Sequence, residues 1–169
     1  MADLYALVYV STATRALSLE EIGRLLDSAR RRNAARGITG VLLYAEGRFM
    51  QCLEGPAVDL AHVYDIIRSD PCHYGLIEIV REPLARREFP EWSMAFRVVG
   101  SIGAAAPDKQ DALLAQRLAQ RDAPGSEARA RLSSFWTRGS DSIFDDLQDL
   151  SRERRSHTSA AAPKRRPGA

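Results

Sequence analysis

Between residues 4 and 99 short β-rich apolar runs alternate with two amphipathic helical stretches, and the order β-α-β-β-α-β plus one further strand leaves few architectures open. Tyr5 to Val10 is the first run, closed by Ser11-Thr12-Ala13-Thr14. Ser18, with Glu21 three residues later, makes a capping-box pattern, and Leu19, Ile22, Leu25, Leu26 and Ala29 follow at helical spacing. Gly37-Ile38-Thr39-Gly40 stops that helix. Val41 to Tyr44 and Phe49 to Leu53, joined across Ala45-Glu46-Gly47, read as a hairpin. After Gly55-Pro56, the spacing of Leu60, Val63, Tyr64 and Ile67 marks a second helix ending near Asp70-Pro71. Leu76 to Val80 and Trp92 to Val99 supply the fourth and fifth strands. The expected fold class is α+β, a ferredoxin-like sheet with two helices on one face.

Past Gly103 the pattern changes. Leu113, Leu114 and Leu118, then Leu132, Phe135 and Trp136, suggest two helices separated by Ala123-Pro124-Gly125, a hairpin suited to cover the sheet's free face. Ile143, Phe144, Leu147 and Leu150 suggest a last short helix over 142–150. The expected organisation is thus a ligand-binding domain over 1–100, a helical extension over 104–150 and a disordered basic tail over 151–169. The tail accounts for the charge: residues 150–169 carry six Lys/Arg against one Glu, although the whole chain is only +2.

At 169 residues, 45% hydrophobic and 27% charged, the composition is that of an ordinary soluble globular protein with one core. No apolar run is long enough to span a bilayer, and Met1-Ala2-Asp3-Leu4-Tyr5 does not open a secretory signal, so cytoplasmic residence without membrane contact is expected. Cys52 and Cys72 lack the spacing of a disulfide framework or a zinc site, and no metal is expected.

Strand alternation places Tyr9 on a face with Tyr5, Leu7 and Ser11, Gln51 with Phe49 and Leu53, and Trp92 and Met94 with Phe96 and Val98. If those faces are helix-covered, Tyr9 and Gln51 are polar groups among apolar neighbours, and each requires a partner there. Taken singly, Tyr9 reads as a core aromatic, Gln51 as a hydrogen-bonded structural amide and Asn33 as a helix-end residue.

Four segments in this order, Tyr9-Val10-Ser11, Asn33 with Gly37-Ile38-Thr39-Gly40, Phe49 to Pro56 and Phe89-Pro90-Glu91-Trp92-Ser93-Met94, together resemble the signature of the BLUF family of blue-light sensors. The resemblance runs from about Leu4 to Val98. It implies a non-covalently bound flavin, FAD with FMN or riboflavin as alternatives, and a photoactive set of Tyr9, Gln51, Trp92 and Met94. In that reading light-excited flavin takes an electron and a proton from Tyr9 through Gln51, whose amide then rotates or tautomerises. Gln suits such a switch because one rotatable group carries both an acceptor and a donor. The resemblance further implies that Asn33 meets the polar edge of the ring, that Ile38, Phe49 and Leu53 wall it, and that Ser11 supports the glutamine. His73 is a candidate for the ribityl chain. Cys72 stands where the family usually has Arg, and Arg32 or Arg30 is the candidate to replace it.

No Ser-His-Asp set, paired carboxylates, P-loop or GxGxxG offers catalytic parts, so the chain is expected not to be an enzyme. The enzymatic alternative on this fold is an acylphosphatase-like protein, for which Ser11-Thr12-Ala13-Thr14-Arg15 makes a poor phosphate loop. A third class is a non-photoactive flavin-binding or interaction module acting through Arg152, Arg154, Arg155, Lys164, Arg165 and Arg166; a solubilising tail is preferred to nucleic-acid binding. Output is expected to pass to a separate downstream protein or through self-association into a homo-oligomer.

Overall fold

The computed structural model describes residues 3–99, 109–119 and 126–138. The expected helix over 142–150 and the tail over 151–169 lie outside the described residues. Five strands, β1 (Leu4–Ala13), β2 (Thr39–Ala45), β3 (Arg48–Pro56), β4 (His73–Pro83) and β5 (Ala95–Val98), form one sheet in the order β4-β1-β3-β2-β5. All neighbours are antiparallel except β2 and β5, which run parallel. The first four strands with α1 (Leu19–Ala35) and α2 (Ala57–Arg68) are the ferredoxin-like unit, and β5 extends it at the β2 edge.

Local chemistry sets the elements. Ser18 Oγ accepts from the Glu21 N–H at 3.2 Å while Glu21 Oε2 accepts from the Ser18 N–H at 2.9 Å, the reciprocal box that starts α1. Between β2 and β3 only Glu46 and Gly47 intervene, both at positive φ (49° and 79°), as a two-residue hairpin turn demands. Strand β1 continues to Ala13, past the expected stop at Val10, because Ser11 and Thr12 keep pairing with Phe49 and Arg48 of the hairpin. Strand β4 is likewise longer than expected, running on through Arg81, Glu82 and Pro83 beside Leu7, Ala6 and Tyr5.

Both faces of the sheet are buried along β1, β2 and β3, and β1 and β3 read as near-continuous apolar runs for that reason, whereas the edge strand β4 is largely exposed. One face packs Leu7, Tyr9, Phe49 and Leu53 against Ile22 and Leu26 of α1 and Leu60, Val63 and Ile67 of α2. The other packs Ala6, Val8, Val10 and Met50 against Leu114 and Leu118 of α3 (Lys109–Ala119) and Leu132 and Phe135 of α4 (Glu127–Arg138). No described helix is long and apolar enough to cross a membrane.

Strand β5 is shorter than the expected run from Trp92 to Val99. The Trp92 carbonyl still accepts from the Gly40 N–H of β2 (2.9 Å), but those of Ser93 and Met94 are taken by α1 side chains, Asn33 Nδ2 (2.8 Å) and Arg30 Nε (3.0 Å), and regular pairing with β2 begins only at Ala95. The expected common face for Trp92 and Met94 is therefore corrected. Met94 joins the core under α1 and α2, whereas Trp92 is buried in the core under α3 and α4, beside Phe89.

Candidate functional site

The α1–α2 side of the sheet holds a cavity of about 360 Å³. Tyr9, Leu42, Phe49 and Gln51 project into it from the strands, Leu25, Ser28, Ala29 and Arg32 from α1, and Ile66 and Ile67 from α2. Asp70, Cys72 and His73 close it from the α2–β4 connection. The β1–α1 loop is tied to that connection, since Thr14 N–H donates to Cys72 O at 3.0 Å and Thr14 Oγ1 to Pro71 O at 3.2 Å.

At its floor Tyr9 and Gln51 satisfy each other. Tyr9 Oη donates to Gln51 Oε1 at 2.6 Å, and Gln51 Nε2 donates to Met94 Sδ at 3.3 Å. The three side chains are 3%, 4% and 2% exposed. Burial pushes the Tyr9 phenol far above its usual range, with Tyr64 adding to the shift and Arg32 opposing it. The phenol therefore keeps its proton at any physiological pH, and the hydrogen bond has a defined direction. A thioether is a weak acceptor, so the second amide contact is the looser of the two.

Ser11 sits one pleat along from Tyr9 and reaches His73 rather than the glutamine. Ser11 Oγ and His73 Nδ1 are 2.8 Å apart, and His73 Nε2 is 2.8 Å from Ile67 O. A carbonyl only accepts, so Nε2 carries the proton and, in the neutral ring, Ser11 donates to Nδ1. His73 is thus a strut between β1 and the end of α2, with its ring edge toward Tyr9 and Phe49.

Two atoms in this region are buried without a partner: Asn33 Oδ1 and Arg32 Nε. Asn33 is fully buried and uses its Nδ2 on Ser93 O, which leaves the carbonyl half of its amide unsatisfied. Burial likewise depresses the Arg32 guanidinium, with Tyr9 and Asp70 opposing. Buried polar atoms are almost always paired, and of these two residues Arg32 lines the cavity, whereas Asn33 lies one residue on without being part of its lining. A cavity that holds apolar side chains, a guanidinium donor and a phenol–amide pair suits the planar, polar-rimmed ring of a flavin.

Of the residues expected at the site, Tyr9, Arg32, Phe49, Gln51 and His73 line the cavity. Ile38 and Leu53 belong to the same packed core without lining it. Trp92 is on the far face, stacked on Phe89 with the Arg117 guanidinium 5.9 Å from its ring centre. Asp70, Leu42 and Arg15 were not anticipated. Asp70 carried a readable signal: an Asp before Pro commonly starts an Asx turn, and its Oδ1 accepts from the Cys72 N–H at 2.8 Å.

Glu54 was missed altogether. It is fully buried, accepts from the backbone N–H groups of Glu88 and Phe89 at 2.9 and 3.0 Å, and so anchors the β4–β5 connection that delivers Met94. Burial raises its carboxyl above the ordinary 4.5, the two N–H donors pulling the other way. A group that binds its proton more tightly in the folded protein favours folding below 4.5, and that contribution is lost as pH rises through the higher folded value. The stability of the wild type relative to Glu54→Gln should therefore be greatest below pH 4.5 and decline toward neutrality in urea melts. A difference that stays flat across that span would contradict the assignment.

Fold and site together are those of an α+β domain with a cavity between sheet and helices, floored by a buried tyrosine–glutamine pair. The chain belongs to the BLUF family, sensors of blue-light using FAD, whose model matches residues 4–95. It is 38% identical over 113 residues to the photoactivated adenylate cyclase subunit beta of Euglena longa, a match taking in 66% of this chain and 13% of that protein. The chain thus corresponds to a small part of the curated relatives it matches. Among solved structures it is similar to BlrB, a BLUF protein in its dark state, at 34% identity and a TM-score of 0.57, covering 68% of this chain and 86% of that one. It is also similar to Klebsiella pneumoniae BlrP1 with FMN and cyclic diGMP, at 27% identity and a TM-score of 0.65, covering 80% of this chain and 35% of that one.

Proposed function

We propose that this chain is a cytoplasmic blue-light receptor that binds a flavin between α1 and α2 and reads out absorption through Tyr9, Gln51 and Met94. The observation that carries the reading is the buried relay Tyr9 Oη–H to Gln51 Oε1 to Met94 Sδ. When bound, the flavin supplies the blue-light absorption and, once excited, a strong pull on an electron of a nearby phenol.

The residues provide the rest. Tyr9 loses acidity through burial, so in the dark its proton is held on oxygen and pointed at Gln51. A phenol that has lost an electron becomes strongly acidic, and Gln51 Oε1 at 2.6 Å is in place to take its proton while Nε2 of the same amide would release one toward the bound ring, so that Gln51 stays neutral and return of the electron and proton restores the phenol. Exchange of the two ends of the Gln51 amide then reverses the pattern: NH2 faces Tyr9 and the carbonyl faces Met94. Only a weak amide–thioether contact is lost on the Met94 side, so the rearrangement costs little there. Asn33 Oδ1 and Arg32 Nε are the groups we assign to the ring's polar edge, Arg32 taking the place that Cys72 leaves without an arginine.

FAD is the flavin that the family description names, and we favour it; the ring of FMN fits the same groups. The relatives named as cyclases are several times longer than the matched segment, and we assign the receiver of the signal to an effector outside residues 4–95. Purified full-length protein is expected to be yellow and to show a small, reversible red shift of its absorption under blue light. A colourless protein that ignores added FAD and FMN would sink the proposal.

A further inference from the structure

At about 360 Å³ the cavity lies near the lower limit for small-molecule sites, ~300–1,000 Å³, enough for a tricyclic ring and little more. Whatever hangs from the ring must leave through the mouth. Exposure distinguishes the two ends: Tyr9, Leu42, Phe49 and Gln51 are buried, whereas the Arg15 and Arg24 side chains are 64% and 72% exposed. Along α1, Arg24, Ser28 and Arg32 recur every four residues, and all three line the cavity. Eight residues of helix span ~12 Å, so this stripe runs from the ring edge at Arg32 outward to Arg24. Arg15 faces it from the β1–α1 loop. The lining holds three arginines against two acids, Glu21 and Asp70.

We propose that Arg15 and Arg24, with Ser28 one turn inward, form a phosphate subsite at the cavity mouth, so that this chain selects phosphorylated flavins, FMN and FAD, over riboflavin. The inference rests on the flavin reading above. Both outer arginines are held by exposed acids, Arg15 by Glu21 at 2.5 Å and Arg24 by Glu20. Such exposed pairs are weak and exchangeable, and a phosphate dianion is the stronger partner for a guanidinium. Releasing Arg15 leaves no orphan, because Glu21 keeps its bonds to Ser18 in the helix cap. At the inner end the unpartnered Arg32 Nε is taken up by the ring's polar edge, so a phosphate falls to the two outer arginines.

The test is a set of fluorescence-quenching titrations of flavin-free full-length protein with riboflavin, FMN and FAD, at low and moderate salt. FMN and FAD should bind about tenfold or more tightly than riboflavin at low salt, the scale of a charge-assisted bond or two. Added salt should erode that advantage while leaving riboflavin binding nearly constant. Arg15→Gln with Arg24→Gln should bring FMN down to the affinity of riboflavin. Equal affinity for riboflavin and FMN, or a preference that survives both substitutions, would overturn the subsite and leave the flavin reading standing. Failure of all three flavins to bind would overturn both.

Discussion

Gln51→Leu keeps its flavin, stays yellow and shows no light-induced red shift. The substitution preserves bulk on the cavity floor but removes the only group that links Tyr9 to Met94. Tyr9 Oη then lacks its 2.6 Å acceptor, and stranding a buried hydroxyl costs about 1–3 kcal/mol, tolerable for the fold. Tyr9→Phe approaches the same bond from the other side: the amide remains free to rotate, yet no phenol proton is available to start the exchange. Absorption difference spectra before and after blue light, followed through dark recovery, are the measurement. A normal red shift in both variants would remove Tyr9 and Gln51 from the switch.

Phe135→Ala has the largest expected effect on stability. Phe135 is fully buried on α4 against the sheet face opposite the cavity, in a core with Val8, Val10, Met50 and Leu132. Truncating a buried phenylalanine costs ~3–5 kcal/mol, and in a chain of this size that lowers Tm by about 6–20 °C. Tyr9, Gln51 and the lining of the cavity point the other way, so the folded variant should keep the flavin spectrum and the red shift of the wild type. Thermal melts monitored by circular dichroism beside the difference spectrum separate the two effects. A Tm within about 2 °C of the wild type would show that α4 contributes little to the second core.

How far the sequence spoke for the structure depends on the kind of signal. Period-two and helical patterns located β1 to β4, α1, α2 and the α3–α4 hairpin because each element buries a face, and burial writes periodicity. Alternation along β1 and β3 also put Tyr9 and Gln51 on one side correctly, as their hydrogen bond attests. The same rule failed at Trp92 and Met94, because alternation presupposes a regular strand. There the carbonyls of Ser93 and Met94 answer to the Asn33 and Arg30 side chains instead of a ladder, and the chain passes one side chain to each face. Glu54 escaped for a different reason: a charged residue inside an apolar run is legible as an oddity, but its partners, the N–H groups of Glu88 and Phe89, lie more than thirty residues away. The cavity itself is a property of two helices and a connection brought together by the fold, and no local pattern announces it.

The sheet buried on both faces has a consequence for how such a domain is reused. Its central strands form a common wall: the cavity side is completed by α1 and α2, the reverse side by α3 and α4. Helices on the reverse side can be exchanged or lengthened as attachments without rebuilding the ring-binding wall, provided the 92–94 crossing is respected. That partition suits a sensor unit that recurs as one segment of much longer proteins.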